Sequence, residues 1–137
     1  MGITVYLTFG GTCQDAMTFY GEALGVTPRF YPFAGTPAEA EVAPEWRDKM
    51  MHAGLTYQDT LFMASDWMGP GEISYSGFTV SLNTASIEEA ERLFAALSAG
   101  GTVTMPIAET FWALRFGMFT DKFGVPWMIN CDRPEAA

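Results

Sequence analysis

Hydrophobic and polar positions alternate along Ile3-Thr4-Val5-Tyr6-Leu7-Thr8-Phe9 and again along Phe78-Thr79-Val80-Ser81-Leu82, the period of two that a half-buried strand requires. Each run leads into a stretch with helical spacing. Cys13, Ala16, Met17, Tyr20 and Leu24 share one face of the first, and Ile87, Ala90, Leu93, Phe94 and Leu97 share one face of the second. Thr12-x-x-Asp15 and Ser86-x-x-Glu89 mark the two starts: a hydroxyl that accepts from first-turn N–H groups, then an acid at the positive helix end. Gly25 and Gly100-Gly101 mark the stops. Strand-like segments follow each helix, at about 28–33, 50–57 and 60–65 in the first half and at about 102–106, 113–120 and 126–131 in the second. Gln58-Asp59 closes a hairpin, Lys122-Phe123-Gly124 forms a turn, and Gly35, Pro37 and Pro44 punctuate an irregular excursion with a short helix from Pro44 to about Lys49.

The same βαβββ order is therefore written twice, which defines an α+β fold built from two βαβββ modules. Residues 1–137 form a single domain, with module one at 1–66, a linker at 67–76 and module two at 77–132. The linker carries the strongest breakers of the chain, Trp67-Met68-Gly69-Pro70-Gly71-Glu72. A curved four-stranded unit with one helix on its convex side leaves the concave side bare. Two such units are expected to cover each other, within one chain or across two, with a ligand site in the concavity, and a homodimer is expected in either case.

Composition narrows the partners. The 137 residues are 49% hydrophobic and 15% aromatic, with 11 Phe, 4 Trp and 9 Met, enough apolar surface to line a pocket or an interface as well as a core. The net charge of −9 repels nucleic acid and anionic membrane, so neither is an expected partner. A neutral or cationic small molecule fits better, although Glu39, Glu41 and Glu45, or Glu88, Glu89 and Glu91, also read as plain solvated faces. The N-terminus lacks a basic segment followed by an apolar one, and no apolar run is long enough to cross a bilayer. A cytoplasmic setting is expected, with Cys13 and Cys131 as small packing residues.

Beyond the pattern, particular residues match a known family. Tyr6-Leu-Thr-Phe-Gly-Gly, Ala16 with Phe19-Tyr20, Met51-His52-Ala53 and the tail from Glu109 through Trp112, Arg115, Asp121, Gly124 and Trp127 to Asn130 closely resemble PhnB-like proteins over nearly the whole chain. These are relatives of glyoxalase I, bleomycin-resistance proteins and extradiol dioxygenases, so the resemblance implies the vicinal-oxygen-chelate fold. Many members carry the name 3-demethylubiquinone 3-methyltransferase. A nucleotide-cofactor methyltransferase needs a Gly-rich strand-to-helix turn in an alternating α/β order, and Gly10-Gly11 before Thr12 supplies neither.

Superfamily enzymes hold a divalent metal with His, Glu or Gln on the first, fourth, fifth and eighth strands. Counting from Phe19-Tyr20 puts those positions at Val5 and near Met63, Gly77 and Met128. Thioethers prefer soft metals and the other two lack donors, so no metal and no cofactor is expected, and Val5 and Met63 become pocket-lining positions.

His52, the sole histidine, is the best catalytic candidate for proton transfer, against a purely structural or solvent-facing role. Arg115, between Trp112 and Phe116, either clamps an oxyanion or pairs with an acid such as Asp66 or Asp121; in an unbroken strand it points away from Trp112 and Phe116. Trp67, Trp112, Phe116 and Trp127 offer stacking surfaces or core, and Asn130 is either a polar tooth in the pocket or a satisfied buried amide. Asp121-x-x-Gly124 is a turn signature.

Three functions stand at this point. The first is a metal-free small-molecule-binding protein that sequesters an aromatic or cationic compound in an acid-rimmed cavity, using stacking by Trp67, Trp112, Phe116 and Trp127 and orientation by His52, Asp66, Arg115 and Asn130. The second is an enzyme on a small carbonyl or phosphonate-like metabolite, with His52 as acid or base and Arg115 stabilising an oxyanion. The third is an interaction module whose aromatics form an interface.

Overall fold

The structure is a computed structural model that describes residues 2–67, 69 and 71–134. The alternation in the first half forms β1 (Val5–Phe9), and the apolar helical face forms α1 (Cys13–Leu24). Then come β2 (Arg29–Pro32), short 3-10 helices at Pro37–Glu41 and Pro44–Trp46, β3 (Met50–Tyr57) and β4 (Thr60–Asp66). The second half repeats the order with β5 (Val80–Thr84), α2 (Ile87–Ser98), β6 (Thr102–Ala108), β7 (Ala113–Thr120) and β8 (Pro126–Asp132). Two compact units result, Met1–Ile73 and Ser74–Ala137. No described helix is long and apolar enough to cross a membrane.

Each unit is one four-stranded sheet with one helix. The first sheet has the order β1-β4-β3-β2 and the second β5-β8-β7-β6. The strand before each helix pairs in parallel with the last strand of its unit, and the other pairings are antiparallel. Both units are thus βαβββ, the repeat that the sequence predicts.

In the first unit the helix face of the sheet follows from alternation. Leu7↔Ala64↔Ala53↔Phe30 run as one row across all four strands. The alanines at its centre, both fully buried, let α1 settle closely with Ala16, Met17 and Tyr20 against the sheet. Burying a side chain the size of Met17 or Phe9 contributes about 1.5–3 kcal/mol. Gln58 and Asp59 both adopt positive φ (48° and 63°), the two-residue hairpin turn whose twist matches its strands.

In the second unit Val80↔Trp127↔Phe119↔Val103 form the corresponding row. Phe119 stacks nearly parallel to Trp127 and meets Phe94 of α2 edge-on. Gly100-Gly101 ends α2 for two separate reasons. Gly100 takes φ +79°, while a Cβ on Gly101 would stand 2.1 Å from the Thr120 carbonyl oxygen. Only a residue without Cβ permits that approach.

Three sequence expectations shift. The Thr12 side chain makes no cap hydrogen bond; the Asp66 carboxylate, arriving from the end of β4, takes its place. The strand expected from the alternation that starts at Phe78 begins at Val80, after Gly77 turns the chain with φ +79°. The helix expected from Pro44 to Lys49 is a three-residue 3-10 turn, preceded by another at Pro37–Glu41 that Thr36 caps through Ala38 N. Ser86, by contrast, caps α2 as expected by accepting from Glu89 N at 3.1 Å.

Candidate functional site

The helix covers one face of each sheet, so the residues of opposite parity are the ones free to meet a ligand. In the first unit these make a second continuous row, Tyr6↔Met63↔Gly54↔Arg29, spanning β1, β4, β3 and β2. Gly54 is the notch in that row. Tyr31 pairs with His52 one step along the same face.

Around this notch lies a hollow of about 480 Å³ whose wall includes Arg29, Tyr31, His52, Gly54, Thr56 and Leu61, a volume within the range of small-molecule pockets. Val26 and Leu55 add apolar surface, Thr27 a hydroxyl. His52 stands between two tyrosines, Tyr6 reaching it over β4 and Tyr31 paired with it on β2. Its Nδ1 lies 3.1 Å from the Tyr6 hydroxyl oxygen, and the Tyr6 and Tyr31 rings stand 5.7 and 6.0 Å from its own. Nε2 lies 3.9 Å from the point where a Gly54 Cβ would stand, so the ring presents that nitrogen to the notch.

Open-face residues of the second unit form another group. Asn83↔Asn130↔Phe116↔Ala108 is its central row. The Asn130 amide donates to Asp132 Oδ1 at 2.6 Å and to Asn83 Oδ1 at 3.4 Å. Trp112 stands edge-on to Phe116 at 5.4 Å, and Phe111, 89% exposed, stands edge-on to Trp112.

The sequence-derived candidates therefore separate by sheet face. His52 and Met63 share the open face of the first unit; Trp112, Phe116 and Asn130 share that of the second. Val5 has the parity of buried Leu7 and Phe9, on the helix side. Trp67 follows β4, is 54% exposed and is absent from the wall of the hollow.

Asp66 is 7% exposed and works on the backbone: Oδ1 accepts from Gly11 N and Cys13 N, Oδ2 from Met50 N, all at 2.8–2.9 Å. Arg115 reaches Glu91 on α2 at 3.7 Å, with neither Asp66 nor Asp121 as its partner. Trp127 is core, 2% exposed, with Nε1 donating to Asp121 Oδ2 at 2.8 Å. Asp121 Oδ1 meanwhile accepts from Phe123 N and Val125 N, the turn role expected of it.

Sequence reasoning passed over Tyr6, Arg29, Tyr31 and Gly54. Tyr6 was one residue from the position assigned to Val5, and its parity, opposite to Leu7 and Phe9, was available in the alternation. A glycine inside a strand, as at Gly54, is itself a sign of close approach by something else.

Cys13, beside Asp66, is fully buried at the start of α1. Burial, with the Asp66 carboxylate adding to it, pushes its thiol up to about 12, the reverse of what a nucleophile needs.

The donor chemistry does not suit a superfamily-type metal centre. The open-face pair shared by β1 and β4 is Tyr6↔Met63, and that shared by β5 and β8 is Ser81↔Met128. A phenol, an aliphatic hydroxyl and two thioethers are a poor set for a hard or borderline divalent cation. Among the described residues no three His, Cys, Asp or Glu side chains are grouped to hold a metal ion.

Two βαβββ units, each with a helix-covered face and a chemically furnished open face, define a class of protein, and comparison with known proteins agrees. This chain belongs to the Glyoxalase/Bleomycin resistance protein/Dioxygenase superfamily, whose profile matches residues 2–129. It is 40% identical over 139 residues to Protein YjdN of Escherichia coli (strain K12), covering 95% of each chain. The crystal structure of protein PA1353 from Pseudomonas aeruginosa is 46% identical, with a TM-score of 0.86 over 96% of this chain and 98% of that one. A PhnB protein from Bacillus cereus, described as a putative 3-demethylubiquinone-9 3-methyltransferase, shares the fold at 24% identity, with a TM-score of 0.76 over 96% and 99% of the two chains.

Proposed function

We propose that this chain is a metal-free small-molecule-binding protein whose ligand occupies the hollow on the open face of the first sheet. The observation that carries the reading is the placement of His52. Tyr6 fixes the ring through Nδ1, and the glycine notch leaves room for a ligand atom beside Nε2. A preorganised polar group at the edge of a partly apolar hollow is how small-molecule sites obtain orientation along with affinity. Membership of a superfamily that includes bleomycin-resistance proteins supports sequestration without chemistry.

The test is a thermal-shift screen of metabolites and aromatic drugs, repeated on Gly54→Leu. A ligand that prefers the native state adds about 2.7 kcal/mol of stability at a hundred times its Kd. A new Cβ at Gly54 meets Leu61 and Phe62 only at ordinary contact distance, 3.8 Å. The variant is therefore expected to fold as the parent does and to lose the ligand-induced shift. Hits that stabilise both proteins equally would place binding elsewhere and remove the hollow from the reading.

An enzymatic reading has one specific observation in its favour, the same His52 with Nε2 towards the hollow, where a proton held on that nitrogen could be given to a ligand. Arg115, its expected oxyanion partner, faces Glu91 instead, so this reading rests on His52 alone. Turnover of any hit should then vanish in His52→Gln; unchanged turnover would exclude the reading.

A further inference from the structure

We infer that the hollow selects a carboxylate-bearing small molecule, its anionic end held between Arg29 and His52 and its apolar body against Tyr31, Val26 and Leu61. This inference rests on the hollow being a binding site and adds the class of ligand. The first reason is charge pairing. In a chain with 16 acids against 7 lysines and arginines, a guanidinium should find a carboxylate easily, and Arg92, Arg115 and Arg133 do, on Glu89, Glu91 and Glu109. Arg29 and Arg47 have no carboxylate partner among the described residues, and of the two only Arg29 joins the hollow, whose wall contains no Asp or Glu.

Register supplies the second reason. Arg29 is directly opposite Gly54, and His52 is on the same strand and the same face two residues before it. The guanidinium and the imidazole therefore flank the one position in the row that has no side chain, and Thr27 and Thr56 add hydroxyls to the wall. A planar carboxylate seated there would accept from the rigid guanidinium fork and, with the proton on Nε2, from the imidazole. A cationic ligand would meet an unshielded guanidinium with no acid to answer it.

The net charge of −9 points the other way. Distant charges are screened beyond about 8 Å at physiological ionic strength, so the groups in the wall dominate for a bound ligand. The cationic ligand and acid rim that composition suggests thus give way, at this site, to an anion.

The experiment compares 3-phenylpropionate with its uncharged isostere 3-phenylpropionamide by calorimetric titration and by NMR shifts of the single histidine, in the parent, Arg29→Gln and Gly54→Leu. Arg29 is exposed, so Arg29→Gln is expected to leave the ligand-free melting temperature unchanged. The expected result is that the acid binds at least tenfold more tightly than the amide, that Arg29→Gln removes this preference, and that Gly54→Leu abolishes binding of both. Equal binding of acid and amide, insensitive to Arg29→Gln but lost in Gly54→Leu, would overturn the ligand class and leave the hollow as a site. Absence of binding by either, or binding untouched by Gly54→Leu, would overturn both.

Discussion

Tyr6 and His52 meet over a strand that belongs to neither. Tyr6 is on β1 and His52 on β3, with β4 between them in the sheet, yet the phenolic oxygen lies 3.1 Å from Nδ1. Long side chains on a shared open face can bridge a strand in this way, because nothing from the helix layer stands above it. The pair is solvent-accessible, so its worth lies in orientation more than in stability.

Tyr6→Phe should accordingly cost little, on the order of 0.5 kcal/mol for one exposed hydrogen bond. The change should appear instead in the ring of His52. With the hydroxyl donating, the neutral imidazole carries its proton on Nε2, and as the only histidine it gives a single, unambiguous set of ring signals. Long-range ¹H–¹⁵N NMR of the parent at pH 8 should show an unprotonated Nδ1, and Tyr6→Phe should increase ring mobility. Protonation at Nδ1 in the neutral ring would reverse the donor and defeat the assignment.

The two helix starts look alike in sequence and differ in structure, which gives a paired prediction. Ser86→Ala removes a cap that accepts from Glu89 N and should cost about 1 kcal/mol. Thr12→Ala removes a hydroxyl that makes no cap bond and should change stability by well under half of that. Urea denaturation of the two variants side by side decides the matter; equal losses would mean that Thr12 does cap α1.

That contrast shows where the sequence was legible. Periodicity in the Val5–Phe9 and Val80–Thr84 strands and in both helices exposed the duplicated βαβββ order, because alternation and helical spacing are local and burial enforces them. The site was less legible because its parts come together through strand register. Tyr6 and Arg29 become members of one row only once β4 and β3 are inserted between their strands, which no local pattern encodes. The same holds for Asp66, whose conformational work is done on Gly11, Cys13 and Met50, two of them more than fifty residues away. Trp127, read as a possible stacking surface, shows the reverse: an indole in a strand whose parity points under α2 is core, whatever its chemistry.

Asp66→Asn tests that remote role. Asp66 places one oxygen on two N–H groups at the start of α1 and the other on Met50 N, where an asparagine has one acceptor oxygen and an NH₂ that faces a donor. Leaving a buried N–H unanswered costs about 1–3 kcal/mol, and losing the anion at a helix N-terminus adds to it. A loss of about 2–4 kcal/mol in denaturant is expected, with the NMR amide signals of Gly11, Cys13 and Met50 reporting the change. A near-neutral substitution would show that water or a neighbouring group replaces the carboxylate.

Cys13 makes stability depend on alkaline pH, with a definite sign. Its thiol is raised from 9.0 to about 12 in the folded chain, so between those values the unfolded chain has released a proton that the folded chain keeps. The unfolded state is then favoured as pH rises: the contribution is fully present below about pH 9 and is lost above it at about 1.4 kcal/mol per pH unit until the folded thiol itself ionises. Urea midpoints measured from pH 8 to pH 11 should fall more steeply for the parent than for Cys13→Ala. The alanine variant begins less stable because it leaves a small cavity, but it lacks this titration. In Asp66→Asn the slope should break off at lower pH, because the carboxylate is the second cause of the raised value. Parallel pH profiles for parent and Cys13→Ala would mean that the thiol ionises as readily inside the fold as outside it.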